Sequence, residues 1–231
     1  MEDLTQKHCQ TPFALLRQCQ ALGLCLGDLD RLAQVYQFVA IRFAGVYRAG
    51  YKPVVNHLCG TASAVARHRP EPTLIETALL HSAYVIGDPM ERSAVVAIAG
   101  TEIERTLWDY AHISAEDLER RTDHAAQNLL FLRLCNIFDE LWDASHLFAP
   151  AKQQWLGLPE NHTGRARVLE LCSSLGLPAL VEEFDALFRE IDGAGSLPSI
   201  DRINAGSFRV ASKPEIPRTP PRTRFWRHWL R

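Results

Sequence analysis

Two of the nine histidines stand out by position. His57 lies in Asn56-His57-Leu58 and His81 in Leu79-Leu80-His81-Ser82, at the ends of consecutive apolar patterns with helical spacing. Two imidazoles on adjacent antiparallel helices can converge on one metal ion, which is how helical bundles build such centres. The same placement also suits two core histidines hydrogen-bonded to backbone carbonyls. Spacing leaves both readings open. His8, His68, His112, His124, His146, His162 and His228 sit in polar or loop contexts and read as surface residues. None of the six cysteines pairs in a C-x-x-C spacing, so they read as buried small hydrophobes rather than as a zinc or redox motif. No P-loop, Gly-x-Gly-x-x-Gly, Gly-x-Ser-x-Gly or His-Glu-x-x-His pattern occurs, which sets those enzyme classes aside.

The elements that must position these residues are helices, since apolar residues recur at spacings of three and four while period-two alternation is nearly absent. The pattern predicts a first helix over 12–22, with Pro12 in its first turn and Gly23 as its stop. A second begins near Asp28 and carries the stripe Leu32, Val35, Tyr36, Val39 and Phe43. A third holds His57 to Arg67, and a fourth runs from Leu74 to Tyr84 with Thr73 as N-cap and Glu76 closing a capping box. Further helices are expected over 93–110, with Gly100 interrupting it, over 115–143 behind a Ser114/Asp117 cap, and over 165–174 and 178–192. The acids Asp139, Glu140 and Asp143 read as a solvated end of the long helix or as partners of Arg133, although Glu140 could also reach a metal from one turn beyond Asn136.

The chain has 231 residues, a formal net charge of −2, 47% apolar and 23% charged residues. At this length roughly 70% of the unfolded surface can be buried, enough for a core without disulfides. The near-neutral balance argues against whole-domain nucleic-acid binding. The opening residues lack a basic n-region with an apolar run, and no stretch approaches the ~20 apolar residues of a spanning helix, so a cytoplasmic location is expected. One all-helical domain over 1–192 is expected, followed by a Pro- and Arg-rich flexible tail over 193–231. Within residues 212–231 six cations face Glu215 alone, a basic arm of +5 on a body of −7. Its end, Phe225-Trp226-Arg227-His228-Trp229-Leu230-Arg231, could dock on an anionic membrane surface or a protein partner, or fold back on its own domain.

A resemblance adds to this reading. Arg48-Ala49-Gly50-Tyr51-Lys52-Pro53-Val54-Val55-Asn56-His57, Ala78-Leu79-Leu80-His81 and Leu132-Arg133-Leu134-Cys135-Asn136 together resemble the HD-domain superfamily over residues 30–145. They are most similar to its guanosine polyphosphate (alarmone) hydrolase branch. There an Arg precedes the first His by nine residues, Gly and Pro lie between, and the second His follows twenty-four later, as Arg48, Gly50, Pro53, His57 and His81 do here. The resemblance implies an HD-like helical bundle and a divalent metal, Mn, Fe or Zn, held at positions matching His57, His81, Ser82 and Asn136. The family has carboxylates where this chain has Ser82 and Asn136, and a catalytic Glu-Asp pair where it has Val85 and Ile86. Replacing two anions by a hydroxyl and an amide takes the ligand charge from −2 to 0 and weakens the hold on hard cations.

Three expectations follow. The first is a divergent metal-dependent phosphohydrolase for a nucleotide or another small phosphorylated compound, with His57, His81 and Asn136 on the metal, Glu140 completing the shell, and Ser82 or Tyr84 orienting water. The second is a degenerate member without metal or turnover that binds a small anionic molecule through Arg48, Lys52 and the histidines. The third is an interaction protein that works through its C-terminal arm.

Overall fold

The computed structural model describes residues 3–47, 52–86, 89–142 and 161–193. Arg48, Gly50, Tyr51, Asp88, Asp143 and the arm beyond residue 193 lie outside the described residues. Every regular element among those described is helical, and the fold is all-α. A short 3₁₀ turn, Leu4–Gln6, precedes α1 (Pro12–Ala21), α2 (Leu26–Arg42), α3 (Val54–His68), α4 (Pro72–Leu80), α5 (Arg92–His112), α6 (Ala115–Glu119), α7 (His124–Trp142), α8 (Asn161–Ser174) and α9 (Pro178–Gly193). No helix among the described residues is long and apolar enough to cross a membrane.

The chain divides into two compact units, Met1–Ala44 with Pro53–Asp139 and Gly45–Lys52 with Glu140–Arg231. In the first, α3 packs along α4, α2 lies on α4, and α1 covers α3. Helix α3 is buried almost throughout, including His57, Gly60, Thr61 and Ser63, so its small residues serve close approach by neighbours. In the second unit α8 and α9 pair as antiparallel neighbours would, with a bidentate Arg165–Asp192 contact at 2.9 Å and Phe184 stacked near Phe188.

Local sequence rules explain most helix ends. Thr11 caps α1 by accepting the Ala14 N–H, Pro12 occupies its first position, and Gly23 takes φ 93° after the stop. Helix α2 starts two residues before Asp28, because Asp28 accepts the Cys25 N–H at 3.0 Å and so closes the first turn instead of opening it. Three expectations are corrected. Glu76 does not cap α4: Glu71 precedes the first helical residue, Pro72, and the Glu76 carboxylate reaches across to Arg31 Nε at 3.1 Å. Helix α4 ends at Leu80 rather than at Tyr84, since the His81 ring donates from Nδ1 to the Ala78 carbonyl at 2.7 Å, the acceptor a continuing helix would give to a backbone N–H. The long helix expected over 115–143 is two, because Arg120 terminates α6 and Asp123 accepts the Ala126 N–H at 3.0 Å to start α7.

Gly100 breaks α5 with φ 83° and ψ 167°. Twelve residues of straight helix would separate Arg92 and Glu104 by ~18 Å along the axis. Instead Arg92 grips Glu104 with both Nε and Nη2, at 2.5 and 2.8 Å, so the chain folds back at the glycine. That fold-back sets the Arg92 guanidinium 4.4 Å over the Trp108 ring and brings Tyr84 edge-on to the same indole.

Candidate metal centre

His57 and His81 do meet. His57 stands in the first turn of α3 and His81 caps the C-terminus of α4, both buried, with ring centroids 5.1 Å apart and planes at 75°. Their Nε2 atoms face each other at 3.2 Å. The hydrogen-bond partners fix what those atoms carry. His57 donates from Nδ1 to Oδ2 of Asp139 at 2.6 Å, and His81 donates from Nδ1 to the Ala78 carbonyl at 2.7 Å. A carboxylate and a carbonyl only accept, so in the neutral rings both protons sit on Nδ1 and both Nε2 lone pairs point inward. Two bare lone pairs at this distance repel unless a proton or a metal ion lies between them. With metal–imidazole bonds of about 2.0–2.1 Å, a 3.2 Å span subtends roughly 100° at an ion, between the octahedral and tetrahedral angles.

One oxygen is placed beside this pair and a second buried oxygen stands on α7. Ser82, buried beside His81, places Oγ 3.2 Å from His81 Nε2. Asn136 is buried on α7, and its Oδ1 has no hydrogen-bond partner. An orphaned buried acceptor costs about 1–3 kcal/mol. Its neighbours one turn to either side on α7 reach the surroundings of the two histidines. Asp139 holds His57, while Arg133 donates from Nη2 to the carbonyls of Tyr110 at 3.0 Å and Ile113 at 2.5 Å, and the Tyr110 ring lies 5.7 Å from that of His81. Burial holds the Arg133 guanidinium below its ordinary pKa. Among the described residues no group of three or more His, Cys, Asp and Glu side chains is arranged around one metal position. The donor atoms shown close together are thus the two imidazole Nε2 atoms and the Ser82 hydroxyl, nitrogen-rich and neutral, a kind of set that suits zinc or iron more than magnesium.

Asp139 corrects the expectation of a solvated acid at a helix end. Its carboxylate is fully buried and accepts from three sides: His57 Nδ1, His8 Nε2 at 2.9 Å and Gln10 Nε2 at 3.4 Å. Room for it comes from Gly60, one turn after His57 on α3. A Cβ added there would stand 2.5 Å from Cγ of Asp139 and closer still to Oδ1. A glycine inside a helix costs about 1 kcal/mol against alanine, so its presence beside His57 was a readable signal of close approach.

His8 likewise is no surface residue. Its side chain is fully buried, edge-on to Phe138 at 5.4 Å. The segment carrying it is pinned to α1 and α3 by other bonds: the Cys9 N–H to Ser63 Oγ at 2.8 Å, Gln18 Nε2 to the Lys7 carbonyl at 2.6 Å, and Ser63 Oγ to Gln18 Oε1 at 2.7 Å. Nothing in the local sequence around His8 signals this, because its partner lies 131 residues away.

The other expected residues are placed as follows. Tyr84 turns its hydroxyl to Glu104, donating at 3.0 Å, and burial with that contact pushes its pKa up to about 12. Glu104, held by Arg92, stays below the ordinary carboxylate range. Lys52 and Glu140 belong to the second unit. Arg48 lies outside the described residues. No protein-family model matches the chain, and no curated protein matches its sequence.

Proposed function

We propose that this protein is a metal-dependent phosphohydrolase of divergent HD type, binding one divalent transition-metal ion at His57 and His81 and acting on a nucleotide or another small phosphorylated compound. The observation that carries this reading is the facing pair of Nε2 atoms at 3.2 Å, each ring fixed through Nδ1 to an acceptor. Ser82 Oγ beside His81 Nε2 and the unsatisfied buried Oδ1 of Asn136 are the oxygen donors assigned to the same ion, taken as Mn, Fe or Zn.

Bound there, the ion supplies Lewis-acid polarisation of a phosphoryl oxygen and a lowered pKa for its water. The chain's own residues do the rest. Asp139 keeps His57 in the tautomer that presents Nε2, the outer-shell device that orients metal-ligating histidines. The Ala78 carbonyl does the same for His81. Ser82 offers a buried hydroxyl beside His81 Nε2 that can donate to an incoming oxygen. Because the direct donors are neutral, the ion would keep most of its charge, which favours an anionic ligand such as a phosphate ester. Arg48 and Lys52 are the residues that the resemblance assigns to that anion.

A second reading keeps the anion and drops the turnover. It is favoured by the Tyr84 hydroxyl being engaged with Glu104. Elemental analysis of the full chain purified without chelator, beside the His57→Ala, His81→Ala double variant, tests the metal. About one equivalent of Mn, Fe or Zn in the wild type alone supports the centre, and none in either refutes it. Phosphate release from a panel of nucleotides by the loaded protein then separates hydrolase from binder.

A further inference from the structure

We propose that His8 is a positioning residue for the histidine pair, acting through Asp139 so that residues 7–10 of the chain help set the affinity of the metal centre. The inference rests on the metal reading above and goes beyond it, since it assigns a role to a segment distant in sequence from every proposed ligand.

A carboxylate that orients a metal-ligating imidazole must itself be held. Asp139 has two oxygens, and the structure uses each for a different histidine: Oδ2 receives His57 Nδ1 at 2.6 Å and Oδ1 receives His8 Nε2 at 2.9 Å. Clamped at both ends, the group cannot rotate about its Cβ–Cγ bond without breaking one charge-assisted hydrogen bond. Without His8, Oδ1 would retain Gln10 at 3.4 Å, a longer and weaker contact. Gly60 closes the third side, where even a methyl group would collide with the carboxylate. The order of contacts is thus His8, Asp139, His57, and then the Nε2 position shared with His81.

Packing alone does not account for His8. The segment around it is anchored independently through Cys9, Ser63, Gln18 and the Lys7 carbonyl, so the imidazole is not needed to keep residues 7–10 in place. A buried ring edge-on to Phe138 could be apolar, yet the side chain there presents a donor to the one carboxylate that orients His57. Loss of such an outer partner characteristically weakens metal affinity ~10–100-fold. His8 acts one bond further out, so the lower end of that range is expected.

The test is a Co²⁺ titration of the metal-stripped full chain, following the visible d–d bands, with folding of each variant checked by circular dichroism. Wild type is set beside His8→Leu, which fills the space without a donor, His8→Gln, which keeps a donor at similar reach, and the His57→Ala, His81→Ala variant. His8→Leu is expected to bind Co²⁺ about tenfold more weakly with altered bands, and His8→Gln to recover the wild-type values. If His8→Leu does not fold, His8→Asn, whose amide is too short to reach Asp139, takes its place with the same expected loss. Wild-type affinity and bands in the folded non-donor variant overturn the role of His8 while leaving the centre intact. An equal loss in His8→Leu and His8→Gln also overturns it, because packing and not donation would be responsible. Co²⁺ binding that is absent in the wild type, or unchanged in the double-histidine variant, overturns the metal reading and this inference with it.

Discussion

Substituting Gly60 by alanine ought to stabilise a helix, and in this protein it should do the opposite. In an exposed helix interior the change gains about 1 kcal/mol. Here the new Cβ would lie 2.5 Å from Cγ of Asp139, where something must move. The carboxylate has no solvent to turn into, since both it and His57 are fully buried. It must leave its hydrogen bonds to His57 and His8, or α7 must lift from α3. Hydrogen bonds to a charged group contribute about 1.5–3 kcal/mol each, so losing both costs about 3–6 kcal/mol and the net destabilisation is about 2–5 kcal/mol. Urea denaturation of Gly60→Ala beside wild type reads this directly. Gly27→Ala is the control, because its Cβ would meet only Cys25 Sγ at 3.7 Å, an ordinary contact, and its stability should be unchanged or slightly raised. Gly60→Ala should also weaken metal binding, as His57 would lose its orienting carboxylate. A Gly60→Ala protein as stable as wild type, or more so, would show that Asp139 does not lie against α3, and the site as described would fall with it.

Gly100→Ala should cost about 1–3 kcal/mol in the same assay, since φ 83° with ψ 167° is open essentially to glycine alone and the Arg92–Glu104 pair depends on that turn; an unchanged midpoint would contradict the fold-back. Asn136→Leu should raise the stability of the metal-free protein by about 1 kcal/mol by removing an orphaned acceptor, while lowering metal affinity; reduced stability together with unchanged affinity would remove Asn136 from the site. Asp123 has its pKa lowered from 3.8 to about 2, chiefly by hydrogen bonding to Arg121 and then to the Ala126 N–H. A depressed folded pKa means that the stability it contributes is present above 3.8 and lost as pH falls through about 2. Asp123→Asn keeps the cap and loses the charge, so its stability difference from wild type should be fullest at pH 5 and shrink toward pH 2 in urea melts at each pH; a difference that grows on acidification would refute the assignment.

Much of the scaffold was legible because it is local. Pro12 and Gly23 bound α1, Ser114 opens α6, and in the stripe Leu32, Val35, Tyr36, Val39 and Phe43 all but the half-buried Tyr36 are buried, as the spacing required. Such signals act within a turn or two of chain, where a cap or an apolar period decides the backbone alone. Asp123 could have been read the same way as an N-cap, and missing it fused α6 with α7. Glu76 carried a misleading local signal: its position fitted a capping box, but an arginine 45 residues earlier holds its carboxylate.

The candidate centre divides along the same line. Sequence alone determined that His57 and His81 lie at the near ends of consecutive apolar helical segments and that carboxylates stand at neither 82 nor 136, because identity and spacing are all those statements need. Only tertiary structure decided that the two Nε2 atoms face each other, that Asp139 is buried instead of solvated, and that His8 completes its hydrogen bonds. Those contacts join residues 24, 82 and 131 positions apart. A hydrogen bond across such separations has no local signature. It forms where the packing of α3, α4 and α7 leaves a buried carboxylate to be satisfied, and Gly60 is a residue at which the sequence recorded that approach in advance.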